Sequence, residues 1–530
     1  MKDLNKIIEI GHLLYMKFYI KFILILISGA LLSLSFYGPG FLAWFCLVPY
    51  LFVIHYSNLK QTVFFSFILG LVYFAGVTYW FTEYSFIFWI PIVGYLTIFT
   101  ILFGIVLYFI YLKINWSPLR IFLISAVWIA IEFFRNRTFL AFPWGMLAYS
   151  QHNYLAIMQM VKLTGVYGVS LILILFNSAI AETIINFIKI KKINFRYLLA
   201  IICLVTLIIV SGFININIYK KNFENKDYKR INIAMVQPNI SFDEKFERDS
   251  GVIMSDPYSS KNYFRNGTEL VVFPESVIWG PLEHNKTFKD WVAKTIKNEN
   301  LYLIMGEILW DSKNNYYNSV VLYSPDLDIL GRYNKIHPLP CAEYMPYPHI
   351  LGFLSFLNIA KLNITPVREF SMINYPGKGK LGINICFEST LPIISRTFRH
   401  KGADAIFVFT DDAGFKHSIA SWHHVIFSRV RAIENSCYVV HSSNMGISAV
   451  INPIGEIISK TELGKKEVLY ETIYLNSEKS FYSQYGDIIM YIYFGFSFVF
   501  LCIYIYTVRF NKFKIAKFYK NIKLNDKYGK

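Results

Sequence analysis

The sequence predicts a membrane α-helical bundle of about eight spans carrying an α/β domain, and three observations predict it. Of 530 residues, 55% are hydrophobic and 16% charged, with a mean hydropathy of +0.40, which is more apolar surface than one water-soluble core can hide. The apolar residues gather in long runs toward both ends of the chain. From Arg230 to about Lys479 the pattern changes to short β-rich runs alternating with amphipathic helices.

A bilayer core takes roughly 20 apolar residues per helix. Runs that qualify or nearly do lie at Phe18–Phe36, Phe41–Tyr56, Val63–Phe81, Phe86–Leu112, Ile121–Phe134, Val166–Ile188, Tyr197–Ile216 and Ile488–Tyr506, the second and fifth being short. The first continues past any small-x-small cleavage site into Leu31–Phe36 and reads as a retained anchor. Lysine and arginine in short loops set orientation. Lys2, Lys6 and Lys17 precede the first span, Lys60 follows the second, Lys113 and Arg120 the fourth, and Lys189, Lys191, Lys192 and Arg196 the sixth. Those sides are expected in the cytoplasm, as is the tail from Arg509 to Lys530, with Arg135, Arg137 and Lys162 as exceptions on the other side. The expected organisation is a bundle of about seven spans at 1–219, a periplasmic domain at 220–484, a C-terminal transmembrane helix at 485–507 and a basic cytoplasmic tail at 508–530. Both termini are then cytoplasmic.

The net charge of +17 comes from residues flanking apolar runs, not from one aromatic-laced patch, so it reads as topology and no nucleic-acid partner is expected. Six cysteines, Cys46, Cys203, Cys341, Cys386, Cys437 and Cys502, include no CxxC pair and no spacing with histidine that suits zinc. Neither a disulfide framework nor a metal site is expected. Glu132 and Glu182 fall within or near span ends, where an ionisable group is costly, and Glu132 beside Arg135 reads as structural.

In the α/β domain the expected strands are Arg230–Gln237, Glu269–Phe273, Leu301–Leu309, Ser319–Tyr323, Ile329–Tyr333, Lys380–Ile385, Ala405–Phe409, Tyr438–His441, Ile447–Ile451 and Glu467–Tyr474. Hairpins are expected through Ser324-Pro325-Asp326 and Asn452-Pro453-Ile454-Gly455. Thr287–Asn298, Thr390–Arg399 and Ser421–Asn435 carry apolar stripes at helical spacing. The order suits two sheets flanked by helices.

Glu275, Lys335 and Cys386 each follow a strand, where an α/β scaffold presents reactive groups. Singly, each is more often a buried thiol or a solvated charge. Together they supply a nucleophile, a base and a cation for the oxyanion that acyl transfer develops. Glu275 is the expected base, and Lys335 with the backbone N–H of Phe387 the expected oxyanion donors.

The segments Phe273-Pro274-Glu275-Ser276, Tyr333-Asn334-Lys335-Ile336-His337 and Asn384-Ile385-Cys386-Phe387-Glu388 resemble the Glu-Lys-Cys motifs of the carbon–nitrogen hydrolase (nitrilase) superfamily. That resemblance implies an αββα sandwich. With its flanking spans, the whole chain resembles the apolipoprotein N-acyltransferase family, through Phe142-Pro143-Trp144, Thr164 to Ser170 with Asn177, Val236 to Ile240, Glu343-Tyr344-Met345-Pro346, Arg431 to Asn435 and Asn444 to Ser448. The resemblance implies that Cys386 takes an acyl chain from a phospholipid, usually phosphatidylethanolamine, and passes it to the N-terminal amine of a diacylglyceryl-cysteine apolipoprotein. It implies a monomer in a bacterial inner membrane, no cofactor, Glu343 and Glu388 as supporting groups, and Trp144, Phe246 and Asn444 as substrate-binding residues. Departures include Phe246 in place of a lipid-contacting tryptophan, Cys341 in the block before Glu343, Asp412-Ala413-Gly414-Phe415 in place of Trp-Phe-Gly, and His441 in place of arginine. Two other readings stand beside this one: a membrane-anchored amidase with water as acceptor, and a non-enzymatic transporter or receptor. The latter lacks the paired broken helices and midplane charges of transporters.

Overall fold

Long apolar runs close their backbone hydrogen bonds on themselves, because a bilayer offers no water to satisfy them. The computed structural model describes residues 16–528 apart from 85, 139, 192–194, 226, 242–263, 285, 341, 346–348 and 350–362. The N-terminal bundle holds α1 (Phe18–Leu34), α2 (Val48–His55), α3 (Leu59–Val77), α4 (Phe86–Lys113), α5 (Ser117–Arg135), α6 (Val166–Ile190) and α7 (Arg196–Asn225). Among the described residues six helices are long and apolar enough to cross a membrane: α3 to α7 and one at the C-terminal end.

The expected span Phe41–Tyr56 is not a continuous helix. A 3-10 turn at Gly40–Trp44 precedes the eight-residue α2, which has a proline in its first turn. Such a break needs partners for its freed backbone groups. Asn177 of α6 supplies two, accepting from the Leu47 N–H (2.8 Å) and donating to the Ala43 carbonyl (2.9 Å). Gln151 donates to the Gly40 carbonyl at 2.7 Å. Helix α1, at 17 residues, is just short of the other spans.

Several charges inside the bundle are paired or bonded. Arg120 meets Glu182 at 2.8 Å, both buried. Glu132 Oε1 accepts from Trp128 Nε1 (3.0 Å) and the Leu147 N–H (2.9 Å), the structural role its position suggested. Arg137, one of the exceptions to the loop-charge pattern, pairs with Asp487.

The following domain is a sandwich. Its first sheet runs β13-β1-β2-β4-β5-β6, from β1 (Arg230–Gln237), β2 (Leu270–Val272), β3 (Ile278–Trp279, beside β4), β4 (Tyr302–Trp310), β5 (Tyr316–Tyr323), β6 (Ile329–Asn334) and β13 (Glu467–Tyr474). The second runs β12-β11-β10-β9-β8-β7, from β7 (Ile373–Tyr375), β8 (Gly379–Ile385), β9 (Ala405–Thr410), β10 (Val439–Ser443), β11 (Ala449–Ile451) and β12 (Ile457–Lys460). Strands β1, β2 and β4 are parallel, as are β8, β9 and β10. Both expected hairpins form, β5 with β6 and β11 with β12. The short β3, β7 and β12 lack an apolar run long enough to stand out in sequence.

Side-chain alternation builds the layers. On β1, Ile231, Ile233 and Met235 face the core between the sheets, while Ala234 and Val236 face α8 (Lys286–Val292, continued by a π turn at Ala293–Lys297) through Phe288, Val292 and Ile296. On the second sheet Ile383, Phe407 and Val440 face inward. Its outer face packs α9 (Pro392–Lys401) and α10 (Ala420–Asn435), with Ile406, Val408 and Val439 against Val425 and Ala432 of α10. This is the αββα order. The final helix, α11 (Ile488–Tyr528), continues past the expected boundary at 507.

Candidate active site

Glu275, Lys335 and Cys386 arrive from three strand ends. Glu275 follows β2 through Pro274, in a close crossing of β4 at Gly306. A Cβ on Gly306 would lie 2.6 Å from the Glu275 Cα and 2.7 Å from the Pro274 carbonyl oxygen. Lys335 follows β6, where its N–H donates to the Asn318 carbonyl at 2.8 Å. Cys386 ends β8 and opens a 3-10 turn, Cys386–Thr390, with φ of 52°. That left-handed conformation is costly for a residue with a side chain and marks the sharp strand-to-turn junction.

The structure brings the charged groups together. Lys335 Nζ donates to Glu343 Oε1 (2.7 Å) and Glu275 Oε1 (3.3 Å). Asn318, which the sequence reading did not single out, donates to Glu275 Oε1 (2.7 Å) and Glu343 Oε1 (3.3 Å), so the two carboxylates share a lysine and an amide. The other Glu275 oxygen accepts from the Asp411 N–H at 2.9 Å, and Glu343 Oε2 accepts from the Leu339 N–H at 2.6 Å.

Burial opposes charge on Lys335, but Glu343, Glu275 and Cys386 outweigh it and hold the ammonium above its ordinary range. Burial raises the Glu275 carboxyl; Lys335 pulls it down, while Glu343 and Asp411 push it up again. The low-dielectric surroundings of Cys386, and then Glu275, push its thiol well above the usual value against the pull of Lys335. Those surroundings favour the neutral thiol over the thiolate, which gives a neighbouring base a role.

Glu388 is fully buried and ties two of the three elements together. Its Oε1 accepts from the N–H groups of Ile336 (2.7 Å) and His337 (2.9 Å), next to Lys335. Its Oε2 accepts from the Ile385 N–H (2.7 Å), next to Cys386, and the Tyr333 hydroxyl donates to both oxygens at 2.9 Å. Burial pushes this carboxyl up and the Ile385 and His337 N–H groups pull it back.

Trp144, from the segment between α5 and α6, is buried and stacks on Phe387 (6.2 Å between centroids, 13° between planes). His337 stacks on Phe387 as well, at 6.0 Å and 20°. Beside Trp144, an apolar crevice between bundle and α10 is lined by Phe36, Tyr149, His423, Ile426 and Phe427. Asn444 is buried, accepting from the Ile240 N–H (3.0 Å) and donating to the Ile240 carbonyl (2.7 Å) and Asp411 (2.6 Å). Its amide is thus hydrogen-bonded within the protein. Phe246 and Cys341 lie outside the described residues.

Asp412, His424 and His441 also converge, their donor atoms all within 4.8 Å of one another, although no spacing in the sequence signalled it. Within the set, His424 Nδ1 lies 2.8 Å from Asp412 Oδ1, so these two side chains form a hydrogen-bonded pair.

An αββα sandwich with this glutamate, lysine and cysteine at its strand ends, seated on a helical membrane bundle, defines a membrane-associated protein of the carbon–nitrogen hydrolase superfamily. The carbon–nitrogen hydrolase family model matches residues 232–482, and that of the apolipoprotein N-acyltransferase N-terminal domain matches 28–179. The chain belongs to the apolipoprotein N-acyltransferase family and is an acyltransferase. It is 28% identical over 486 residues to the apolipoprotein N-acyltransferase of Geobacter metallireducens, covering 88% of this chain and 92% of that one. It is 29% identical over 395 residues to apolipoprotein N-acyltransferase 2 of Treponema denticola, covering 70% and 74%. A solved structure of a carbon–nitrogen hydrolase from Helicobacter pylori G27 matches at 20% identity, with a TM-score of 0.35, over 50% of this chain and 94% of that one.

Proposed function

We propose that the chain moves an acyl group from a phospholipid to the N-terminal amine of a diacylglyceryl-cysteine lipoprotein through a thioester on Cys386. The observation that carries this reading is Lys335 Nζ held between Glu275 and Glu343 beside a cysteine at a strained strand-to-turn junction.

Glu275 takes the thiol proton and the sulfur attacks the ester carbonyl of the phospholipid. The oxyanion forms against Lys335 and the Phe387 N–H. Collapse of the tetrahedral adduct expels the lysophospholipid oxygen, which takes the proton back from Glu275, leaving an acyl-thioester. The amine of the acceptor then attacks that thioester, Glu275 accepts the amine proton, and the thiolate leaves with an amide formed. Glu343, bonded to Lys335 and to the Leu339 N–H, orients the ammonium. The family's membrane setting, with the loop charges of the sequence, supports placing the chain in a bacterial inner membrane as a monomer, its sandwich in the periplasm and both termini in the cytoplasm.

Given phosphatidylethanolamine alone, the purified protein is expected to accumulate an acyl adduct at Cys386 that neutral hydroxylamine releases, and Cys386→Ala to accumulate none. Addition of a diacylglyceryl-cysteine peptide is expected to give acyl-peptide. Free fatty acid as the sole product would make water the acceptor, and an adduct on another residue would end the Cys386 mechanism.

A further inference from the structure

The carbonyl of Cys386 is held from behind. Ser389 Oγ donates to it at 2.8 Å, and His424 Nε2 lies 3.1 Å from it and 2.8 Å from Ser389 Oγ. The opposite ring nitrogen, His424 Nδ1, is 2.8 Å from Asp412 Oδ1, which also accepts from Thr410 Oγ1 at 2.7 Å, while Ser443 Oγ donates to Asp412 Oδ2 at 3.3 Å. His424 and Asp412 are both buried, and Asp412 itself has φ of 54°.

A trans peptide is planar, so the carbonyl of residue 386 and the N–H of residue 387 point in opposite directions. Whatever fixes the carbonyl toward α10 turns the Phe387 N–H away from α10. Phe387 is the second residue of its 3-10 turn, where an N–H precedes the first intrahelical bond and is available to a ligand. Cys386 sits at a φ that a residue with a side chain seldom adopts, so this peptide depends on outside contacts to keep its orientation.

We propose that the Asp412–His424 pair is a positioning device for the oxyanion site: it holds the 386–387 peptide so that the Phe387 N–H faces the reacting carbonyl. The inference rests on the thioester mechanism above and adds two residues to it. Burial opposes a charged His424, but Asp412 and the Cys386 carbonyl favour it more, which supports a ring that donates from both nitrogens. The neighbouring His441, 5.0 Å away between ring centres, is the contrasting case, since burial and His424 push it down to about 3 and keep it neutral.

The test separates acyl chemistry from simple thiol chemistry on the full-length protein. Attack on an ester carbonyl develops an oxyanion; displacement of iodide from iodoacetamide does not. His424→Leu is expected to slow thioester formation from phosphatidylethanolamine about a hundredfold, while alkylation of Cys386, followed on its own peptide by mass spectrometry, stays within about threefold. His424→Gln keeps an amide N–H within reach of the carbonyl and is expected to recover about tenfold of the lost rate. Asp412→Asn is expected to show the same split between the two chemistries and serves if His424→Leu does not fold. Wild-type acylation rates in these variants, or equal loss of acylation and alkylation, would overturn the inference. Failure of the wild-type protein to form a thioester would overturn the mechanism itself, a distinguishable result.

Discussion

Replacing Glu388 with glutamine changes one oxygen for an NH2 group, and the structure says where that atom must go. The carboxylate accepts three backbone N–H groups, two at Oε1 from Ile336 and His337 and one at Oε2 from Ile385. An amide has a single acceptor oxygen. It serves best turned toward Ile336 and His337, which leaves its NH2 facing the Ile385 N–H, donor against donor. An orphaned buried donor costs about 1–3 kcal/mol, and relief of a buried charge offsets the weakening of the two surviving bonds, so about 1–3 kcal/mol is the net expectation. In a domain of this size that is a fall of roughly 3–10 °C in Tm. The consequence for activity is larger, because Ile336 adjoins Lys335 and Ile385 adjoins Cys386. A displacement of about 1 Å between lysine and sulfur would cost thioester formation about a hundredfold. Thermal unfolding in detergent and single-turnover acylation measure the two effects. A Glu388→Gln protein whose Tm and acylation rate both match wild type would show that this carboxylate does not hold the site together.

Gly306→Ala places a Cβ against backbone of the Glu275 segment that has no rotamer to escape into, so about 1–3 kcal/mol of stability and at least about tenfold in acyl transfer are expected to go, read by Tm and initial rate. Glu182→Gln leaves Arg120 buried without its counter-charge and is expected to lower stability by about 3–5 kcal/mol, whereas Arg120→Met with Glu182→Leu is expected to restore most of it; equal losses would discount the pair. The Cys386 thiol is held well above the usual value, so its alkylation by iodoacetamide is expected to keep rising as pH increases beyond 9 instead of levelling off. Lys335→Met removes a neighbour that favours the thiolate and is expected to slow that alkylation at fixed pH, and an unchanged rate would place the ammonium too far from the sulfur to matter.

Of the strands that carry the site, β2 and the second half of β8 were legible as buried apolar runs, while β6 is largely exposed and was legible from the turn before it. Strands β1 and β13 have the expected bounds, and Glu275, Lys335 and Cys386 fall where their strands stop. The break in the second span has one local signal, Pro49, while the partners that satisfy it, Asn177 and Gln151, are more than a hundred residues away. Asn318 escaped notice for a similar reason. It lies inside β5 and is set apart only by two carboxylates brought to it from other strands. His424 reads on its own as one buried histidine on an amphipathic helix, and the departure at Asp412 reads as a lost aromatic. Only the fold joins the two behind the nucleophile.

Helix α10 explains why the membrane bundle and the sandwich cannot be treated as separable parts. A helix at the edge of a globular domain normally keeps one polar face for water. Here Val425 and Ala432 pack on the second sheet, while Ile426, Phe427, Val430 and Ile433 join the core continuous with the bundle. Phe427 meets Trp144 and Tyr149 edge-on at 4.7 and 4.5 Å. Arg431 donates to the Tyr149 hydroxyl at 2.7 Å, and Glu434 accepts the Val166 N–H at the start of α6 at 3.0 Å, satisfying one of the donors a helix N-terminus leaves free. The helix that carries His424 to the back of the nucleophile is therefore also the one that seats the domain on its bundle. Trp144 completes the connection from the other side by stacking on Phe387. A shift of the bundle against α10 would reach the 386–387 peptide through both contacts, so the geometry at the sulfur depends on packing against the membrane helices as well as on the sandwich.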